Sequence, residues 1–261
     1  MTCCFIIFAH NYEQNNEDVQ DMIDNINFYH KNCDIVVNHP TLTHSKVSVR
    51  HRLGPVDHST FMFGAFSEVF KSFEDSYVKQ FDHFCLVSAN QYFINNISFD
   101  KGVNYLQFLN HERWEDVYSG KDFDRTIVGN PIIQPWGNWD ELNSYLEYGI
   151  QKPMAANWEC ATFTQETIFL VRKHIDRCLE LFPNKDRINT FPGYMALLSG
   201  QEWRFPPHFG TYDASNPNPK NWIITIDQLS QKYSDGYFSI KRVNYSKFCP
   251  IKEFIRNNIM I

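Results

Sequence analysis

Several short signatures are missing from this chain, and each absence removes a class of function. Neither GxGxxG nor GxxxxGK[ST] occurs, so dinucleotide-binding Rossmann enzymes and P-loop NTPases lack support. A GxSxG elbow and an HExxH helix are absent as well. Seven cysteines (Cys3, Cys4, Cys33, Cys85, Cys160, Cys178, Cys249) include no CxxC pair. Their odd number and scatter argue against a disulfide framework and a clustered zinc site, and fit reduced thiols. No apolar run approaches the roughly 20 residues of a membrane span. The apolar stretch Cys3 to Ala9 is one strand long, so no signal peptide is expected and the protein is expected to be cytoplasmic. The net charge of −6 lacks the basic excess of nucleic-acid binders and of polybasic membrane surfaces.

What is present is a globular composition. Hydrophobic residues make up 43% of 261 residues, enough for a sizeable core without staples. Aromatics reach 16%, with 23 Phe and 13 Tyr, which suits a Phe-rich core or a groove that stacks on flat ligands. No repeat, low-complexity tract or linker divides the sequence, so one domain over 1–261 is expected.

Patterning predicts an α/β fold. Cys4 to Ala9 is continuously apolar, as in a strand buried on both faces. Asn16 to Tyr29 places Val19, Met22, Ile23 and Ile26 on one helical face, and Asp34 to Asn38 reads as the next strand. Two strands joined by a helix form a right-handed βαβ unit in a parallel sheet. Lys46 to Arg50 reads as a third strand, Thr60 to Phe73 as a helix capped by Asp57 or Ser59, and Phe84 to Ala89 as a fourth strand. Asn104 to Lys152 reads as irregular apart from a short helix over Asp140 to Gly149. Beyond it, Gln165 to Phe182 and Phe191 to Ser199 read as helices and Arg204 to Pro219 as a loop. Ile223 to Ile226 and Tyr237 to Val243 read as strands, and a last helix starts at Pro250.

Ligands of open parallel sheets bind beyond the carboxyl ends of the strands. His10-Asn11, His39-Pro40 and Ser88-Ala89-Asn90 all sit at such ends. Each alone reads equally as a loop start; together they outline one crevice. The strongest basic pair is Lys241-Arg242, of which alternation turns one side chain inward, where it can pair with a diphosphate. A solvated pair at a strand edge is the competing reading.

The order of these segments resembles the core-2/I-branching β-1,6-N-acetylglucosaminyltransferase and peptide O-xylosyltransferase family, in its compact bacterial or viral form. The resemblance rests on Phe5 to His10, on Gly54-Pro55-Val56-Asp57-His58 before a helix, and on Asp82 to Ile94. Trp158 to Thr164 before a helix, and Phe238 to Val243 followed by Pro250-Ile251, complete it. It implies a GT-A-like fold with a Rossmann-like, mostly parallel central sheet flanked by helices. It also implies inversion at the anomeric carbon, a UDP-sugar donor (xylose or N-acetylglucosamine), a glycan acceptor, and no cofactor or obligatory metal. Residues 1–100 then form the nucleotide-sugar-binding half, and 101–261 the acceptor half with a C-terminal phosphate-binding segment. Lys241 and Arg242 are similar to the family's phosphate binders. Two departures stand out: Ser88-Ala89-Asn90 replaces the commoner Ser-Gly-Asp, and Phe191 to Leu198 holds no acid where the family places its base. With no membrane anchor, a bacterium or a virus-infected host cell is the expected setting.

Inverting transfer needs a general base for the acceptor hydroxyl and positive charge at the leaving UDP. Glu159, in a segment of Trp, Cys and small residues just before a helix, is the first candidate base, and Asp57 and Glu202 are reserves. A structural carboxylate is the competing reading for each. His10, Asn11, Ser88, Asn90, Lys241 and Arg242 are candidates for the donor. Trp114, Trp136, Trp139, Trp158 and Trp203 are candidates for the acceptor groove, with core packing as the alternative. A carbohydrate-binding module without turnover and a glycoside hydrolase with two carboxylates remain open.

Overall fold

The first strand, β1 (Cys3–Phe8), is buried at every position, which its unbroken apolar run requires of a strand covered on both faces. A computed structural model describes residues 2–9, 16–38, 51–53, 61–88, 90–108, 156–181, 196, 199–209, 224–241, 243–244 and 246–260. After β1 come helix α1 (Asn16–Tyr29) and strand β2 (Asp34–Asn38), as the pattern predicts. Val19, Met22, Ile23 and Ile26 of α1 are buried. Strand β3 is His51–Leu53, just after the predicted Lys46–Arg50, which lies outside the described residues. Helix α2 (Phe61–Ser72), a short helix α3 (Asp75–Val78) and strand β4 (His83–Ser88) follow.

The chain divides into two compact units. One comprises Met1–Val56, His83–Asp100 and Pro206–Ile261, and the other Asp57–Asp82 and Lys101–Phe205. The C-terminal segment with Lys241 therefore belongs with Met1–Val56 and His83–Asp100 rather than with Lys101–Phe205. In the first unit the strand order is β3-β2-β1-β4, and all three pairings are parallel. This is a mixed α/β arrangement compatible with a Rossmann-like sheet. A second sheet orders β5 (Gln91–Phe93), β10 (Ser239–Lys241) and β9 (His208–Phe209). β10 runs antiparallel to β5 and parallel to β9.

In the second unit β6 (Val103–Phe108) pairs antiparallel with β7 (Ala156–Thr164) and parallel with β8 (Glu202–Arg204). Helix α4 (Gln165–Leu181) leaves β7 directly. The Gln165 amide side chain donates to the carbonyls of Val78 and Phe81, tying the start of α4 to the end of α3.

Three expectations are corrected. Asn104 to Phe108 is strand, not irregular chain. Residues 202–204 and 208–209 pair as strands, so the expected loop from Arg204 is ordered at its start. Of the expected strand Ile223 to Ile226, the described residues Ile224 to Ile226 are not strand: Thr225 caps helix α5 (Ile226–Ser234). The Gln228 N–H donates to the Thr225 hydroxyl at 3.2 Å, and the Thr225 N–H donates to Gln228 Oε1 at 3.0 Å. This reciprocal box outweighs the β-branched residues around it. The predicted helix 140–149 lies outside the described residues, as does nearly all of 191–199.

α5 ends at Gly236, whose φ of +80° lets the Tyr237 N–H reach the Lys232 carbonyl at 3.0 Å and the Gly236 N–H reach the Tyr233 carbonyl at 3.1 Å. That turn delivers the chain into β10. The final helix, α6 (Pro250–Asn258), starts on Pro250, whose fixed φ suits the first turn.

Candidate functional site

β10 alternates, and the alternation sets which way its charge points. Ile240 enters an apolar cluster with Tyr92, Ile94, Leu229, Val243, Ile251 and Ile255. Ser239 and Lys241 therefore share the opposite face. Across the antiparallel pair, Lys241 stands opposite Gln91 and Ser239 opposite Phe93. Phe93 packs edge-on against Phe5 of β1, with ring centroids 5.5 Å apart, so this face is turned toward the parallel sheet. Of the predicted basic pair, Lys241 is the inward member and is half-buried; Arg242 lies outside the described residues.

Gln91 links this face to the end of β4. Its Oε1 accepts the Ser88 N–H at 3.2 Å, and its Nε2 donates to the Ser239 hydroxyl at 3.4 Å. Ser239 shares a 2.8 Å hydrogen bond with His208 Nδ1. The Ser88 hydroxyl donates to Asn90 Oδ1 at 3.1 Å, and the Asn90 carbonyl accepts the Val243 N–H at 3.1 Å. Gln91, Ser239 and His208 are all buried, so the relay acts as a rigid frame. The structure thus brings Ser88, Asn90 and Lys241 together at the carboxyl end of β4.

β1 and β4 are adjacent, with Phe8 in register with Ser88, and β2 lies on the other side of β1. The chain runs outward from β1 through β2 to β3, then returns to β4 on the opposite flank. The carboxyl ends of β1 and β4 therefore border a topological switch point, where sheets of this kind bind ligands. Asn38 closes β2 at the same edge. It is fully buried, and among the described residues neither its Oδ1 nor its Nδ2 has a hydrogen-bond partner.

A charged anchor holds this assembly from behind. Asp21 of α1 accepts the Tyr92 hydroxyl at 3.1 Å and pairs with Arg256 at 2.5 Å and with Lys252 at 3.4 Å. The Lys252 side chain is 1% exposed. Burial pushes its ammonium below the ordinary lysine range, and Asp21 pulls it partly back. The anchor fixes α6 and β5 to α1, and β5 in turn holds Lys241.

In the second unit, the register between β6 and β7 shifts between Tyr105 and Gln107. Tyr105 opposes Thr162 and Gln107 opposes Asn157, so Trp158, Glu159 and Cys160 lie in a bulge. Cys160 sits there at φ +59°, a left-handed conformation that costs a non-glycine residue energy. Glu159 is therefore in a strand, six residues ahead of the first residue of the helix, and not at a helix entry. Bulges re-aim side chains and recur beside active sites. Glu202 lies exposed on β8 and pairs with Arg204 at 2.8 Å. Trp203 is half-buried and packs edge-on against the exposed Phe205 at 5.7 Å.

His10, Asn11, Asp57, Trp114, Trp136 and Trp139 lie outside the described residues. Reading the sequence missed Gln91, Ser239, His208 and Asn38. Asn38 had a visible signal, a polar residue ending the apolar run Ile35-Val36-Val37. Asp122-Phe123-Asp124 has the spacing of a metal-binding DxD pair, against the metal independence that the resemblance implies; it too lies outside the described residues. Among the described residues no cluster of three or more His, Cys, Asp or Glu forms a metal site, and no helix is long and apolar enough to cross a membrane. No protein-family model matches the chain, and no curated protein matches it at a significant level.

Proposed function

We propose that the protein is an inverting glycosyltransferase of GT-A-like organisation that moves a sugar from a UDP-sugar to a hydroxyl of a glycan acceptor. The observation that carries this reading is the placement of Lys241 beside Gln91 at the carboxyl end of β4, next to the Ser88–Asn90 turn and the β1/β4 switch point. A cation held there neutralises charge on a departing diphosphate. The acceptor hydroxyl gives its proton to a carboxylate, for which Glu159 is the candidate. The acceptor oxygen attacks the anomeric carbon from the face opposite the leaving group. The bond from that carbon to the diphosphate oxygen breaks, and UDP leaves with both electrons. Xylose and N-acetylglucosamine are the first donors to test, on the resemblance alone.

The test is UDP release from a panel of UDP-sugars with and without EDTA, on the wild type, Lys241→Ala and Glu159→Gln. Release from one donor, lost at least tenfold in Lys241→Ala, supports the reading and names the donor. Loss with EDTA assigns a metal and directs attention to Asp122 and Asp124. Absence of release combined with no thermal stabilisation by UDP or any UDP-sugar overturns the reading.

A further inference from the structure

Helix α1 is amphipathic, but its outer face is not wholly polar. Val19, Met22, Ile23 and Ile26 are buried, while Glu17, Asp21, Asp24 and Phe28 follow one another at helical spacing on the opposite side. Phe28 stands in that polar stripe with 41% of its surface exposed. Beside the first turns of this face lies a groove of about 470 Å3, bordered on its other side by Lys247, Phe248 and Arg256. All of these residues belong to the first unit.

Phe248 is 67% exposed, the most of the large apolar side chains described. It is not carried by a loose segment. The Lys247 ammonium lies over the Phe248 ring, 4.8 Å from its centroid, and pairs with Glu17 at 2.6 Å. The Lys247 N–H donates to Asp18 at 2.8 Å, and the Lys247 carbonyl accepts Arg256 Nη2 at 2.6 Å. The fold thus holds an apolar ring out at the rim of a groove, as contact surfaces do.

Three carboxylates and two cations line the groove. Both cations are engaged, Lys247 by Glu17 and Arg256 by Asp21. Asp24 is the surplus charge. It accepts the Gln20 Nε2 hydrogen bond at 2.8 Å and has no ion pair among the described residues. Along α1 it lies between the first turn, where Lys247 and Phe248 dock, and Phe28 one turn further on. From Glu17 to Phe28 the stripe runs about 16 Å. The partner that complements it sets apolar side chains on the two rings and a cation on the carboxylate between them. The net charge of −6 opposes a second copy of this chain at that place and draws a basic partner.

We propose that the groove between α1 and Phe248 docks a basic, amphipathic segment of a partner protein. This role stands apart from sugar transfer, whose candidate residues Lys241 and Glu159 lie on other elements.

The experiment is fluorescence anisotropy with the labelled peptide Leu-Ser-Arg-Ser-Leu-Ser-Arg-Ser-Leu. When extended it places successive Leu side chains about 13 Å apart on one face with an Arg between them. A control peptide carries Glu in place of Arg. The full chain is compared with Phe248→Ala, Asp24→Lys and, in the other unit, Phe205→Ala, with melting curves to verify folding. The expected result is saturable binding of the Arg peptide, weakened about tenfold by Phe248→Ala and by Asp24→Lys and unchanged by Phe205→Ala. Added salt should weaken it, and the Glu peptide should not bind. No saturable binding of the Arg peptide overturns the proposal. So does binding that either groove variant leaves unchanged, or equal binding of the Glu peptide. A wild type that sediments as a dimer, and a Phe248→Ala variant that sediments as a monomer, would give the groove to a second copy and overturn it too.

Discussion

Asp21, whose side chain is 10% exposed, and Asn38, which is fully buried, are polar side chains of the same unit, yet their surroundings are opposite. Asp21 is met by a tyrosine hydroxyl, a guanidinium and an ammonium drawn from β5 and α6. Even its second oxygen, which makes no well-formed hydrogen bond, lies 3.4 Å from the Lys252 nitrogen. Among the described residues Asn38 has no partner for either atom. The first arrangement is what a fold builds when it must bury charge to pin one helix on another. The second is left at the carboxyl edge of a parallel sheet, where ligands bind, and it gives up stability that a purely structural position would keep. Polar burial at the back of the unit is compensated within the chain, whereas at the edge it is not, among the described residues.

The comparison breaks most sharply at Asp21. Removing it with Asp21→Ala leaves Lys252 buried without its counter-charge, and should cost about 3–5 kcal/mol in urea unfolding. Replacing Asp21 with Leu and Lys252 with Met together should recover most of that loss, because the penalty belongs to the unpaired ion. A cost under about 1 kcal/mol for Asp21→Ala would show that water reaches the ammonium once the carboxylate is gone.

His30 lies between these extremes. Its ring packs on Phe5 at 4.8 Å and on Phe93 at 5.6 Å, and its Nε2 is buried without a partner among the described residues. Burial holds its pKa down from 6.5 to about 4, so it stays uncharged at neutral pH. The folded pKa lies below the unfolded one, so protons bind the unfolded chain more tightly. Stability from this group is complete above pH 6.5 and drains away as the pH falls toward about 4. The loss should be roughly 3 kcal/mol over that window. His30→Phe keeps the stacking and should flatten this part of the stability profile; an unchanged slope would assign the acid sensitivity to other groups.

The smallest effect is expected at Asn38, and it has the opposite sign to that at Asp21. Asn38→Leu removes an unpaired amide from a buried site and should raise stability by about 1 kcal/mol in the absence of ligand. A fall of similar size would mean that the amide is satisfied in solution, and the contrast with Asp21 would vanish.

Much of the fold was readable from local chemistry. Apolar runs marked β1, β2 and β4, helical spacing marked α1, and Pro250 marked the start of α6. The misreadings came where local signals competed. Around Thr225, β-branched residues suggested a strand, but the pairing of Thr225 with Gln228 three residues on decided for a helix. Around Glu159, the approach to a helix was legible, while the bulge in β7 depends on how β6 pairs with it. Lys241 was legible as a candidate because a charged pair in a short strand must turn one member inward.

The sequence by itself determined the α/β class, the parallel βαβ start and the candidate cation near the chain's end. Those features follow from periodicity and side-chain chemistry within a few residues. Only the tertiary structure decided that residues 206–261 return to the first unit and set Lys241 opposite Gln91. It alone left Asn38 without a partner among the described residues, because whether a buried polar group is satisfied depends on atoms contributed by strands and helices far away in the chain.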